Sequence, residues 1–280
     1  MIAYEFDYVK PASLAEALEL LAEENAKPLS GGMSLIPMMK LRLAMPGKLV
    51  DLSGIGELRK MEQDGPIFQI GAMTTHYEIE SSSMLRKDCP LLAQTASQIG
   101  DVQVRNLGTI GGSVAHNDPS ADYPAALLVM NGVVRTASKN GLRLMQASEF
   151  FVDALTTKLE PGEIVTSIEV MSEPGEGTCY HKVPHPASGY AVVGIAVRLK
   201  KEDGAISSAK IALTGVASKA FRAVKAEEAL VGGASVDEAA ALVAEGVDAS
   251  ADIHASADYR KHLARVHAAR AIKAALAKCQ

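Results

Sequence analysis

The 280 residues carry 28 Lys and Arg against 33 Asp and Glu, and the formal net charge of -5 argues against nucleic acid as a partner. Hydrophobic residues make up 48% of the chain but aromatics only 4%, with no Trp, so a chain long enough for two domains must build an aliphatic, alanine-rich core. No apolar run approaches the roughly 20 residues of a membrane span, no leader-like stretch opens the chain, and Cys89, Cys179 and Cys279 lack C-x-x-C spacing, which disfavours structural zinc, an iron–sulfur cluster or a disulfide and favours the cytoplasm.

In chain order, Tyr4 to Val9 alternates and reads as a short strand. Ser13-Leu14-Ala15-Glu16 is a capping box that launches a helix through Glu24. Lys27-Pro28-Leu29 leads into a glycine pair, Ser30-Gly31-Gly32-Met33-Ser34. Leu49 to Leu52 and Ile67 to Gly71 read as strands around a small α/β unit, and a helix is predicted from Leu91 to Ile99. A second glycine pair follows, Thr109-Ile110-Gly111-Gly112-Ser113, and then the apolar run Ala125 to Met130. Each pair is expected where a strand-like stretch gives way to a polar loop.

Val133-Val134-Arg135 and Leu142-Arg143-Leu144 flank Lys139-Asn140-Gly141, a hairpin signal. Glu173-Pro174-Gly175-Glu176-Gly177 reads as an interdomain linker. A second hairpin runs from Tyr190 to Leu199, turns at Glu202-Asp203-Gly204 and returns from Ile206 to Val216. Helices are predicted from about Phe221, from Ser235 (with Glu238 three residues on) and from Asp258 to the end. The last carries Arg260, Lys261, Arg265, Arg270 and Lys273, which suits a solvated or partner-facing helix.

Paired glycines let backbone N–H groups approach a bulky anion closely. Two such pairs suggest two walls of one phosphate-bearing site. Neither has the G-x-G-x-x-G or G-x-x-x-x-G-K-[ST] spacing, so Rossmann-type dinucleotide binding and nucleotide hydrolysis rank low. Around the second pair, amides and hydroxyls suit a pyrophosphate and a carboxylate such as Asp122 suits sugar hydroxyls. Taken alone, the same loop reads equally well as a tight structural turn. His181 and His185 have i, i+4 spacing, but Pro184 and Pro186 preclude a helix presenting both, so no metal site is expected there. His116 reads as a cofactor contact or a hydrogen-bonded loop residue, His76 as local capping and packing, Met38 and Met39 as core fillers. No Ser–His–Asp or Cys–His arrangement emerges, and no catalytic side chain is assigned.

The stretches Ser30 to Arg42 and Asn106 to Asp122, with Leu159-Glu160-Pro161-Gly162-Glu163-Ile164, Tyr190-Ala191-Val192-Val193-Gly194 and the tail beginning Tyr259-Arg260, resemble the FAD-binding medium subunit of molybdenum hydroxylases. This is the flavoprotein family of carbon monoxide dehydrogenase and xanthine dehydrogenase, and the resemblance runs nearly end to end. It implies an α+β fold: a two-subdomain FAD-binding domain of the vanillyl-alcohol-oxidase (PCMH) type over residues 1–174, divided at about 54/55, and a small C-terminal domain of carbon monoxide dehydrogenase flavoprotein type over 178–280 with a three-stranded antiparallel sheet and helices.

By motif, the resemblance implies that Ser30, Gly31, Gly32, Met33, Ser34 and Leu35 wrap the FAD pyrophosphate from one subdomain and Thr109, Gly111, Gly112 and Ser113 from the other. Asp122 matches the acid that meets the adenosine half, Leu159 an apolar residue beside the cofactor, Tyr190 an aromatic approaching the isoalloxazine ring, and Lys182 a residue at the cofactor's edge. Met33 departs from the family's usual His or Gln, and Asn117 from a small residue.

The implied role is electron transfer. A small [2Fe-2S] subunit would deliver electrons from a large molybdopterin subunit, and FAD here would pass them to a terminal acceptor, in a dimer of heterotrimers. Three scattered cysteines disfavour the 4-hydroxybenzoyl-CoA reductase branch, whose flavin subunit adds a four-cysteine cluster. Two alternatives stand beside this reading. A flavin-free structural or assembly subunit has no need of both glycine pairs, and a self-sufficient flavin oxidase lacks an obvious general base.

Overall fold

The computed structural model describes residues 2–172 and 174–279. The chain opens with β1 (Asp7–Val9), α1 (Leu14–Leu21), β2 (Ala26–Leu29), α2 (Leu35–Lys40) and β3 (Lys48–Asp51). Next come β4 (Met61–Asp64), β5 (Ile67–Gly71), α3 (His76–Ser81), α4 (Ser83–Asp88), α5 (Pro90–Ser97), α6 (Val102–Leu107), α7 (Ile110–His116) and α8 (Tyr123–Val129). The hairpin β6 (Val133–Ser138) and β7 (Gly141–Gln146), the turn α9 (Ala147–Phe150), a short pair β8 (Phe151–Asp153) and β9 (Thr156–Thr157), and β10 (Ile164–Met171) follow. The remainder is β11 (Gly177–Pro184), β12 (Ala191–Glu202), β13 (Ala205–Thr214), β14 (Phe221–Arg222), α10 (Val224–Val231), α11 (Val236–Leu242) and α12 (Ala257–Leu276).

Among the described residues these strands form three larger sheets. The first is parallel, ordered β1-β3-β2, and the second antiparallel, ordered β4-β5-β10-β6-β7. The third is antiparallel, ordered β11-β12-β13-β14, so the expected three strands gain a two-residue edge. The first sheet packs on α1 through Ala17, Leu21 and Val50. The third lies between two layers. Val193, Ile195, Val197 and Leu213 face the helices α10 to α12, while Tyr180, Ala196 and Ala212 join the large central core around α8. Burial on both faces explains why β12 is almost continuously apolar rather than alternating. All seven residues of α8 are buried, as an all-round apolar helix requires.

Several expectations need correction. The first strand covers only Asp7–Val9, and α1 stops at Leu21, beyond which the amides of Ala22 and Glu23 turn to the carbonyls three residues back, Glu19 and Leu20. Phe221 begins β14 rather than a helix, which starts at Val224. The second glycine pair lies not at the end of a strand but in the first turn of α7, capped by Thr109 and preceded by α6. Arg260 is buried instead of solvated, and donates to the carbonyls of Val192 (2.7 Å) and Gly215 (2.6 Å) and to Asp252 (2.6 Å). Both hairpins form as expected, with Asp203 and Gly204 at φ 52° and 81° supplying the left-handed turn that two-residue β connections favour. Ser235 and Glu238 make the predicted capping box. Of the linker expected over 173–177, Glu173 lies outside the described residues, as do Met1 and Gln280 of the predicted domains.

Candidate cofactor site

The first bend follows β2, whose parallel pairing with β3 ends at Leu29, and precedes α2. Gly32 adopts a φ of +71°, which only glycine takes without strain. The N–H groups of Gly31, Gly32, Met33 and Ser34 find no acceptor among the described residues, while all four residues except Gly32 keep some exposure. Open, unpaired amides at a partly exposed bend are what an anion needs.

The second bend is built differently. Ile110 N donates to Thr74 O (3.0 Å), Gly111 N to Ala72 O (2.9 Å) and Gly112 N to the Thr109 hydroxyl (3.1 Å). Its leading amides are therefore engaged within the protein, while Gly112 and Ser113 keep partial exposure. The two bends meet face to face. Thr109 Oγ1 lies 3.2 Å from Ser30 Oγ. A Cβ at Gly31 would fall 2.1 Å from the Leu107 carbonyl oxygen, and one at Gly112 would fall 2.6 Å from Ser30 Oγ.

Behind the second bend stands His76, buried, its Nδ1 3.2 Å from the Tyr123 hydroxyl and its backbone N–H donating to Gly108 O at 3.0 Å. Burial, helped by the Arg105 cation, pushes its pKa down to about 3, so the ring is neutral. It packs as expected, although the cap of α3 is Thr75, reciprocated by Glu78.

A buried polar cluster joins the third sheet to the start of α8. Tyr180 OH donates to Asp122 Oδ1 at 2.5 Å. Lys182 Nζ donates to Asp122 Oδ2 at 2.9 Å and to the Gln98 carbonyl at 2.8 Å. Burial raises the Asp122 pKa, opposed by the Lys182 ammonium and the Tyr180 hydroxyl. Lys182 is thus spent on protein partners. Each carboxylate oxygen of Asp122 retains a second lone pair for a further donor. Tyr190, 44% exposed just before β12, lies near Ser34, so the segment leading into the third sheet comes close to the first bend. Burial and the nearby Asp118 carboxylate raise its pKa. Leu159, half-buried, packs on the central core along with Ala115 of α7.

Sequence reasoning missed Tyr180, Gln98 and Thr214. Thr214 Oγ1 reaches the carbonyls of Pro119 (2.9 Å) and Ala121 (2.7 Å), and Gly215 N donates to Pro119 O at 2.8 Å. A tyrosine and a lysine two apart on one strand share a face, and that alternation in Tyr180-His181-Lys182 was the available signal. Asn117 gains a role: it takes a left-handed φ of 48° at the end of α7, and its amide donates to the carbonyls of Asp153 (2.8 Å) and Thr156 (2.9 Å). His116 is the last residue of that helix. His181 and His185 diverge: His181 Nε2 lies 2.7 Å from His267 Nδ1, whereas the His185 ring packs on His254.

Residues 4–170 match the FAD binding domain in molybdopterin dehydrogenase, and residues 178–275 the CO dehydrogenase flavoprotein C-terminal domain. The chain is 39% identical over 288 residues to the carbon monoxide dehydrogenase medium chain of Afipia carboxidovorans, covering 100% of both. It is 36% identical over 274 residues to the glyceraldehyde dehydrogenase medium chain of Sulfolobus acidocaldarius, covering 96% of this chain and 98% of that one. A chain of the crystallised carbon monoxide dehydrogenase from Hydrogenophaga pseudoflava superposes with a TM-score of 0.95 at 40% identity, with 100% of each chain covered.

Proposed function

Because the chain belongs to the family of FAD-binding medium subunits of molybdenum hydroxylases, and is thus an oxidoreductase subunit with FAD as its cofactor, we propose that it is the electron-transfer subunit between the [2Fe-2S] clusters of a small partner and a terminal acceptor. A large molybdopterin subunit carries out the substrate chemistry, and the assembly is a dimer of heterotrimers. Bound FAD supplies the junction between one-electron carriers and two-electron acceptors.

The work of this chain is to bind, orient and exclude water. Within the stretch Ser30 to Leu35, Gly31 to Ser34 would offer free amides to the pyrophosphate; Thr109, Gly111, Gly112 and Ser113 would form the opposing wall. Asp122 receives sugar hydroxyls, held by Lys182, while Leu159 and Tyr190 shield the flavin. The clusters are assigned to the partner because the three cysteines are separate free thiols: Cys89 lies in the central core, where burial pushes its pKa up to about 12, and Cys179 in the C-terminal one. Free thiols also suit the cytoplasm. No described helix is long and apolar enough to cross a membrane. We place the division between the cofactor domain and the C-terminal domain at residues 174–178.

The observation that supports this reading most directly is the meeting of two glycine bends, one with unpaired amides and one with a partly exposed glycine. Gly112→Val tests it. The larger side chain enters the space next to Ser30 Oγ, and FAD content after purification should fall to a small fraction of the parent's with the far-ultraviolet spectrum unchanged. Full occupancy in the variant would remove the second bend from the site.

A further inference from the structure

We infer that Tyr180 is a positioning residue for the cofactor: from β11 it fixes the carboxylate of Asp122, the group assigned above to the sugar hydroxyls of the adenosine half. The inference rests on that assignment and adds to it.

Three observations carry it. The Tyr180 hydroxyl holds Oδ1 at 2.5 Å while the Lys182 ammonium holds Oδ2 at 2.9 Å, so the carboxylate cannot turn without breaking a charge-assisted bond. Room for the hydroxyl is reserved by Gly194 on the neighbouring strand, where a Cβ would fall 2.4 Å from it. An aromatic needed only for packing has no use for a glycine opposite its polar tip. The tyrosine is itself pinned at the backbone, its N–H donating to Gln94 Oε1 at 3.0 Å and its carbonyl accepting from Gln98 Nε2 at 3.1 Å. Tyr180 thus transmits a fixed strand position to Asp122, and a carboxylate already oriented loses little freedom when a ligand arrives.

The test uses the full chain stripped of flavin and titrated with FAD or FMN, followed by flavin fluorescence. FMN lacks the adenosine half and serves as the internal control. Tyr180→Phe should raise the Kd for FAD about tenfold, the scale of one charge-assisted hydrogen bond, and leave the Kd for FMN unchanged. Gly194→Ala, which displaces the hydroxyl without removing it, should act in the same direction. Asp122→Asn should also weaken FAD, and combining it with Tyr180→Phe should add little, because both act through one carboxylate. Unchanged FAD affinity in Tyr180→Phe overturns the inference. So does a parallel loss of FAD and FMN binding with a lowered Tm, which marks a purely structural role. If Asp122→Asn binds FAD like the parent, the assignment of Asp122 fails first, a result distinguishable from failure of Tyr180 alone.

Discussion

His76 sits without charge against the second bend, and its environment sets a pH dependence. The folded ring takes a proton only at about 3, whereas the unfolded side chain takes one near 6.5. Between those values the unfolded chain binds more protons, so stability falls as pH drops through the window, by about 1.4 kcal/mol per pH unit. His76→Gln should flatten that slope in urea unfolding carried out across the range; an unchanged slope would show that His76 is not the group responsible. At this scale the sequence was uneven. The glycines were legible because their chemistry is local. Tyr180 and Thr214 were not, because their partners lie 58 and 93 residues away and only the folded sheet brings them together.

Among the elements, the first bend and the helix α6 make the tightest approach at the site. Gly31→Ala places a methyl group 2.1 Å from the Leu107 carbonyl oxygen, and backbone, unlike a flexible side chain, cannot yield cheaply. The expected outcome is a loss of about 1–3 kcal/mol of stability together with reduced FAD content. Gly56→Ala, with open space around it, serves as the control that should change neither. The misreading of the second bend has a physical origin. Two glycines in a row oppose a helix by propensity, yet Thr109 caps the turn and Ala72 and Thr74 accept its leading amides, so tertiary partners stabilise what the local sequence disfavours. The Ser235–Glu238 capping box and the Asp-Gly turn were legible because side chain and backbone partner lie within a few residues of each other, whereas Glu16 turns back to the Ala12 N–H rather than to that of Ser13.

Across the whole molecule, the third sheet docks on the segment Pro119 to Asp122 as well as on Gln94 and Gln98. Thr214→Val removes the donor shared by two carbonyls there. Gly215 N still serves Pro119 O, but Ala121 O is left with no other donor among the described residues, at a cost of about 1–3 kcal/mol. Since the segment leading into the same sheet holds Tyr190 near Ser34, the variant should melt earlier and release FAD faster. A normal release rate would mean that docking and retention are independent. The apolar continuity of Val192 to Val197 pointed to a strand but not to the two layers that cover it, since a run of this kind records how much is buried and not by what.

The unequal treatment of the two bends has one more consequence. Folding alone completes the wall formed by α7, whereas the wall formed by Gly31 to Ser34 keeps its donors in reserve. Under the proposed assignment, the pyrophosphate oxygens would supply the acceptors that these amides lack among the described residues. The wall at α7 would then present the same surface whether or not flavin is bound, since its leading amides are already held by Ala72, Thr74 and Thr109.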